Sequence, residues 1–180
     1  MELVIGTALV IFGVSLRFLP HSPNFTPIAA AALFAGVVLP KRLAITVPLL
    51  AMFVSDLAIG FYDWRIMAAV YFSFALTAVF GILARREKNR APAILGGALA
   101  GSVVFFVITN FAVWLWSGIY EKNFNGLIAA YALAIPFFRN TLFGDLFYSA
   151  VFFGLWSAAV FAVRNWGWFR DRQMLRDPRF

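Results

Sequence analysis

Pro136-Phe137-Phe138-Arg139-Asn140-Thr141-Leu142-Phe143-Gly144-Asp145 sets an arginine, an asparagine, a threonine and an aspartate within ten residues of otherwise apolar sequence. Where these groups stand decides the fold. On a soluble domain they would be ordinary surface. Inside lipid each one costs energy and needs a partner or a purpose. The surrounding chain favours lipid: of its 180 residues 63% are hydrophobic and only 13% charged. A soluble domain carries about a quarter charged residues, and its helices keep a polar face. Here apolar runs fill most of the length between short polar interruptions. The composition predicts an integral membrane protein, an all-α polytopic helix bundle.

Several chemistries are excluded at this level. There is no cysteine, so disulfides, thiolate metal sites and cysteine nucleophiles are ruled out. His21 is the only histidine, which argues against a zinc or haem site built by this chain. No metal or cofactor is expected. The net charge of +7 would raise nucleic acid as a partner for a soluble protein. In a membrane protein the position of the positive charges is the informative quantity, and the expected partners are lipids.

Outward from the opening stretch, residues 139–163 form the last apolar segment, and residues 164–180 a basic tail with five arginines. Before it, residues 126–138 are apolar but too short to span, and read as an interfacial or re-entrant piece. The earlier segments are 3–19, 28–39, 43–62, 66–84 and 91–116. Six spans plus one short helix result, in a single transmembrane domain over 1–163. Segment 28–39 would be about 18 Å long, under the ~30 Å of hydrocarbon. It must be extended by its flanks or shielded inside the bundle. Ala32-x-x-x-Gly36 and the run from Gly96 to Gly101 offer small-residue faces for close helix contact.

Six spans put both ends on one side of the membrane. If the loop Arg85-Arg86-Glu87-Lys88-Asn89-Arg90 is inside, eleven of the 15 basic residues are inside too. Arg17, Arg65, Lys122 and Arg139 remain outside. That asymmetry follows the positive-inside rule and predicts cytoplasmic termini. The tail arginines then meet anionic headgroups.

This orientation gathers the polar residues. Asp56, Asn110, Arg139, Asn140, Thr141 and Asp145 fall in the outer parts of their segments, with His21, Asn24 and Thr26 in the first outer loop and Arg17 just below it. The inner halves are almost purely apolar. A proton path would space acids across the full depth; a one-sided cluster describes a cup open to the outside. Phe25, Tyr62, Trp64, Trp114, Trp116, Tyr120, Phe137 and Phe138 either wall that cup or form an aromatic belt. The polar groups also have a purely structural reading. Asp56 and Asp145 could pair with Arg139 or Arg17, and Asn110 and Thr141 could bond between helices. His21 and Thr26 read as loop structure. Thr141 and Asp145 are four apart on one helical face, with Arg139 offset. No nucleophile elbow, P-loop or HExxH is present, so no catalytic residues are assigned.

Pro23-Asn24-Phe25-Thr26-Pro27, the small-residue segment with Phe34-Ala35-Gly36, a basic turn and Ser55-Asp56-Leu57 together resemble an uncharacterised family of bacterial six-span membrane proteins. Thr109-Asn110-Phe111, Trp114, Pro136 to Thr141 and Gly144-Asp145 extend that likeness. More distantly, the size, span number and outer polar cup resemble the S-components of energy-coupling-factor (ECF) transporters. The likeness implies a subunit that binds a vitamin or related micronutrient from outside and passes it to an ATPase-driven module. S-components dock through Ala-x-x-x-Ala on their first helix. Segment 3–19 has no such pair, and the nearest, Ala31-x-x-x-Ala35, lies on the second.

The expectation is therefore an uptake subunit for a small-molecule ligand. Arg139 would anchor an anionic group, and Asn24, Asp56, Asn110, Asn140 and Asp145 would complete the contacts. An accessory or scaffolding subunit docked on another membrane subunit is the alternative.

Overall fold

Lipid offers no hydrogen bonds to a peptide group, so apolar runs in a bilayer close their backbone bonds within helices. The computed structural model describes residues 2–19 and 22–174 and shows only helices among them. They are α1 (Glu2–Phe18), α2 (Ile28–Val38), α3 (Lys41–Ile59), α4 (Trp64–Ala84), α5 (Arg90–Trp116) and α6 (Phe124–Met174). His21, expected in the first loop, and tail residues 175–180 lie outside the described residues.

The helices α3, α4, α5 and the 124–162 part of α6 are long and apolar enough to cross a membrane. With 17 residues α1 falls just short of that, and α2 with 11 far short. Six helices thus form among the described residues, four of them of spanning length.

The expected separate helix over 126–138 does not form. Its residues are the N-terminal part of α6, which runs for 51 residues straight through Pro136. Proline removes one backbone donor and disfavours helix in the residue before it. Breaking the helix within lipid would leave several more groups unbonded, so continuing through the proline is the smaller loss. Pro136 to Asp145 therefore lie inside one long helix rather than across the boundary between a short piece and the last segment. Residues 164–174, expected in the tail, continue the same helix.

The short α2 is the post of the bundle. It packs against all five other helices, and its residues Ile28 to Gly36 are buried. Of the two ways to accommodate a short helix, shielding is the one found. Its composition makes this possible, since alanines and a glycine let neighbours approach closely. At the crossing with α4, a Cβ on Gly36 would lie 2.8 Å from the Cα of Gly81, and one on Gly81 would lie 2.9 Å from the Cα of Gly36. Neither position has room for a side chain. On α5, Gly97 faces the Leu33 side chain and Gly101 faces Thr77, whereas Gly96 meets open space. Arg85 donates to the Leu39 carbonyl (2.9 Å), satisfying an acceptor just past the end of α2.

Candidate functional site

The polar residues sort into two groups around one hollow. The first hangs on α3. Asp56 is 1% exposed and pairs with Arg17 of α1, Nη1 to Oδ1 at 2.9 Å. The same guanidinium donates to Ser55 Oγ at 2.7 Å and approaches Met52 Sδ at 3.0 Å. The other Asp56 oxygen accepts from the Tyr71 hydroxyl of α4 at 2.8 Å. Both carboxylate oxygens thus have partners, and three helices are tied together. Buried charge needs this degree of satisfaction to be tolerated.

The second group is on α6. Asp145 is 3% exposed, and its Oδ2 accepts from Ser102 of α5 at 2.6 Å. Among the described residues it has no ion pair. Thr141, one turn earlier on the same face, donates to the Phe137 carbonyl at 3.0 Å. Asn110 likewise donates to Phe106 of its own helix at 2.8 Å. The expected interhelical bonds from these two residues are replaced by bonds to a carbonyl four residues back, the common solution for short polar side chains on a helix.

Between the groups lies a cavity of about 360 Å³. Arg17, Asn24, Thr26, Tyr62, Thr141 and Asp145 supply its polar wall, and Ile28, Ala29, Met52, Ile59, Val70, Phe74 and Phe105 its apolar one. A second hollow of about 260 Å³ shares Asn24, Tyr62, Val70, Phe105 and Thr141 with the first, and adds Asn110, Phe106, Phe137 and Phe138. The loop over 22–27 stands at this end. Asn24 adopts a left-handed conformation there (φ 64°), which asparagine tolerates better than most residues. Asn140 donates to the Pro23 carbonyl at 3.1 Å, and Phe25 packs on Gly144 and against Phe147 and Tyr148. Burial, and then the negative charge of Asp56, push the Tyr62 hydroxyl up from 10.0 to about 12, with Arg17 opposing.

Each expected site residue can now be placed. Asp145, Asn24 and Asn110 line one or both hollows. Asp56 lies behind Arg17 in the ion pair and lines neither, and Asn140 fastens the loop. Arg139 is exposed and lines neither hollow, so its expected place among inward-facing groups is not what forms. The offset from Thr141 and Asp145 accounts for this. Two positions before Thr141 is about 200° around the helix, nearly the opposite side.

Thr26, expected only as loop structure, lines the cavity. Tyr71, Ser102, Phe74 and Phe105 carried no sequence signal, because each sits in an apolar run with no polar face to mark its direction. Of the expected wall aromatics, Tyr62, Phe137 and Phe138 line a hollow. Phe25 closes the loop, and Trp64 and Trp116 are exposed.

The opposite end of the bundle contrasts with this. A groove of about 720 Å³ lies between α2, α5 and α6, lined by residues such as Val37, Leu95, Ala98, Phe153 and Trp156 with Arg90 among them. No acid lines it.

Residues 1–166 match the model of a family of unknown function, DUF6580. The chain belongs to the DUF6580 family. No curated protein and no solved structure matches the chain.

Proposed function

We propose that this protein captures a small solute from the outer face of a bacterial cytoplasmic membrane, as an S-component-like subunit of a transporter. One observation carries the reading. The adjoining cavities of about 360 and 260 Å³ collect polar groups from α1, α5, α6 and two loops at one end of the bundle, against aromatic walls. Concave, mostly apolar sites with a few convergent polar groups are the usual form of small-molecule sites. The basic loop Arg85 to Arg90 belongs to the other end, where Arg85 meets the Leu39 carbonyl and Arg90 lines the large groove, which supports an outward-facing cavity and cytoplasmic termini. This sequence has no P-loop, so ATP-driven uptake would need an ATPase-driven module or another membrane subunit as partner.

The test is native mass spectrometry and thermal shift on the protein in nanodiscs, against a collection of vitamins and metabolites. Val70 lines both hollows. Val70→Trp is expected to abolish retention of a solute that the wild type holds, and Arg139→Ala to leave it unchanged. No retained solute, or retention indifferent to Val70→Trp, refutes capture. Isolation in mild detergent as a stoichiometric part of a large complex, with no solute, favours the accessory-subunit reading instead.

A further inference from the structure

The chemistry of the cavity also selects among ligands. Its one lining cation among the described residues, Arg17, is already neutralised by Asp56 at 2.9 Å, with Ser55 taking a further donor of the same guanidinium. Arg139, the other candidate for holding an anion, is exposed and lines neither hollow. Asp145 is the reverse case: a lining carboxyl, 3% exposed, with one hydroxyl bonded to it and no cation beside it among the described residues. An anionic ligand would meet a neutralised arginine and a carboxyl. A cationic ligand would meet an acceptor that has no countercharge.

The other walls decide the kind of cation. Inorganic cations such as calcium need six or more oxygen ligands. Among the described residues the cavity wall has Asp145 as its one carboxyl, with neutral oxygens from Asn24, Thr26, Tyr62 and Thr141, and the rest is apolar, including Ile28, Ala29, Phe74 and Phe105, the last two with rings 5.2 Å apart. Aromatic faces attract organic cations and pack against an apolar body.

We propose that the cavity takes a small organic amine in its ammonium form, with Asp145 accepting its hydrogen bonds and Phe74 and Phe105 packing its body. This rests on the solute-capture reading and names the substrate class of that site. The ion pair Arg17–Asp56 then holds the wall in shape and keeps Arg17 from recruiting an anion.

Three matched probes share one aromatic body and differ in charge: phenethylamine, phenylacetate and 2-phenylethanol. Each is titrated against the full-length protein in nanodiscs by calorimetry and native mass spectrometry. The amine is expected to bind at least about tenfold more tightly than either counterpart, the scale on which a charge-assisted hydrogen bond discriminates. Asp145→Asn is expected to remove that preference. Should Asp145→Asn not yield folded protein, the comparison of the three probes on the wild type decides alone. Equal or tighter binding of phenylacetate or 2-phenylethanol overturns the amine assignment and leaves capture standing. Retention of a non-amine metabolite in the wider screen, unaffected by Asp145→Asn, does the same. No binding by any probe or metabolite removes both.

Discussion

Two buried aspartates, 89 positions apart in the chain, receive opposite treatment. Asp56 is surrounded: arginine on one oxygen, tyrosine on the other, and its neighbour Ser55 on the same guanidinium. Asp145 has one serine hydroxyl and a cavity. Both are nearly inaccessible, at 1% and 3% exposure, so burial does not separate them. Satisfaction does. A carboxylate with both oxygens engaged in linking α1, α3 and α4 acts as a fastening. A carboxyl left short of partners on a cavity wall is available to a ligand. The difference shows why an ionisable group inside a membrane is only the start of a functional argument. Its partners complete it.

The comparison is most exposed to Arg17→Ala. That change leaves Asp56 buried without its cation, and it is expected to destabilise the protein by about 3–5 kcal/mol. Unfolding in mixed micelles measures the loss. The double change Arg17→Ala with Asp56→Leu is expected to recover much of it, because the stranded charge is then gone. If Arg17→Ala has no effect, the fastening role fails.

Next in size is Tyr71→Phe, which removes one hydrogen bond to a charged acceptor and is expected to cost about 1.5–3 kcal/mol in the same assay. Asp145→Asn should behave differently. It keeps an oxygen for Ser102 and removes a carboxyl without a cation partner, so stability is expected to change by about 1 kcal/mol or less. Solute binding is expected to fall. A loss of stability as large as that of Arg17→Ala would erase the contrast between the two aspartates.

The smallest effect concerns pH. Tyr62 borders the cavity from the loop between α3 and α4, and its hydroxyl is pushed up from 10.0 to about 12. The folded state therefore holds this proton more tightly than the unfolded chain. The associated stabilisation is complete below pH 10 and is lost as pH rises through that interval to about 12. Tyr62 is 42% exposed, so solvent screening keeps the contribution small. Stability measured across this interval is expected to decline less steeply in Tyr62→Phe than in the wild type. An identical slope would assign the decline to other groups.

Much of the frame could be read from the residues. The apolar runs between polar interruptions locate α3, α4 and α5 to within a few residues, and the proline and basic turns locate the ends of α2. The spacing of Thr141 and Asp145 correctly puts them on one face, with Arg139 elsewhere. The long α6 was harder to see. In water a proline followed by an arginine and an asparagine is a reasonable boundary, but the helix persists because lipid offers its backbone nothing better.

By itself the sequence determined the membrane class, the helical content and the crowding of polar residues toward one end of the bundle. Backbone hydrogen bonding without water leaves little choice about the first two. Tertiary structure alone decided the partners: that Arg17 goes to Asp56, that Asp145 takes the Ser102 hydroxyl, and that α2 stands at the centre. The physical reason lies in the helices, which are apolar nearly all round. A helix in water declares its buried face by a polar stripe on the other side. These helices carry no such stripe, and only the packing of small against large residues turns each polar group toward its neighbour or toward the cavity.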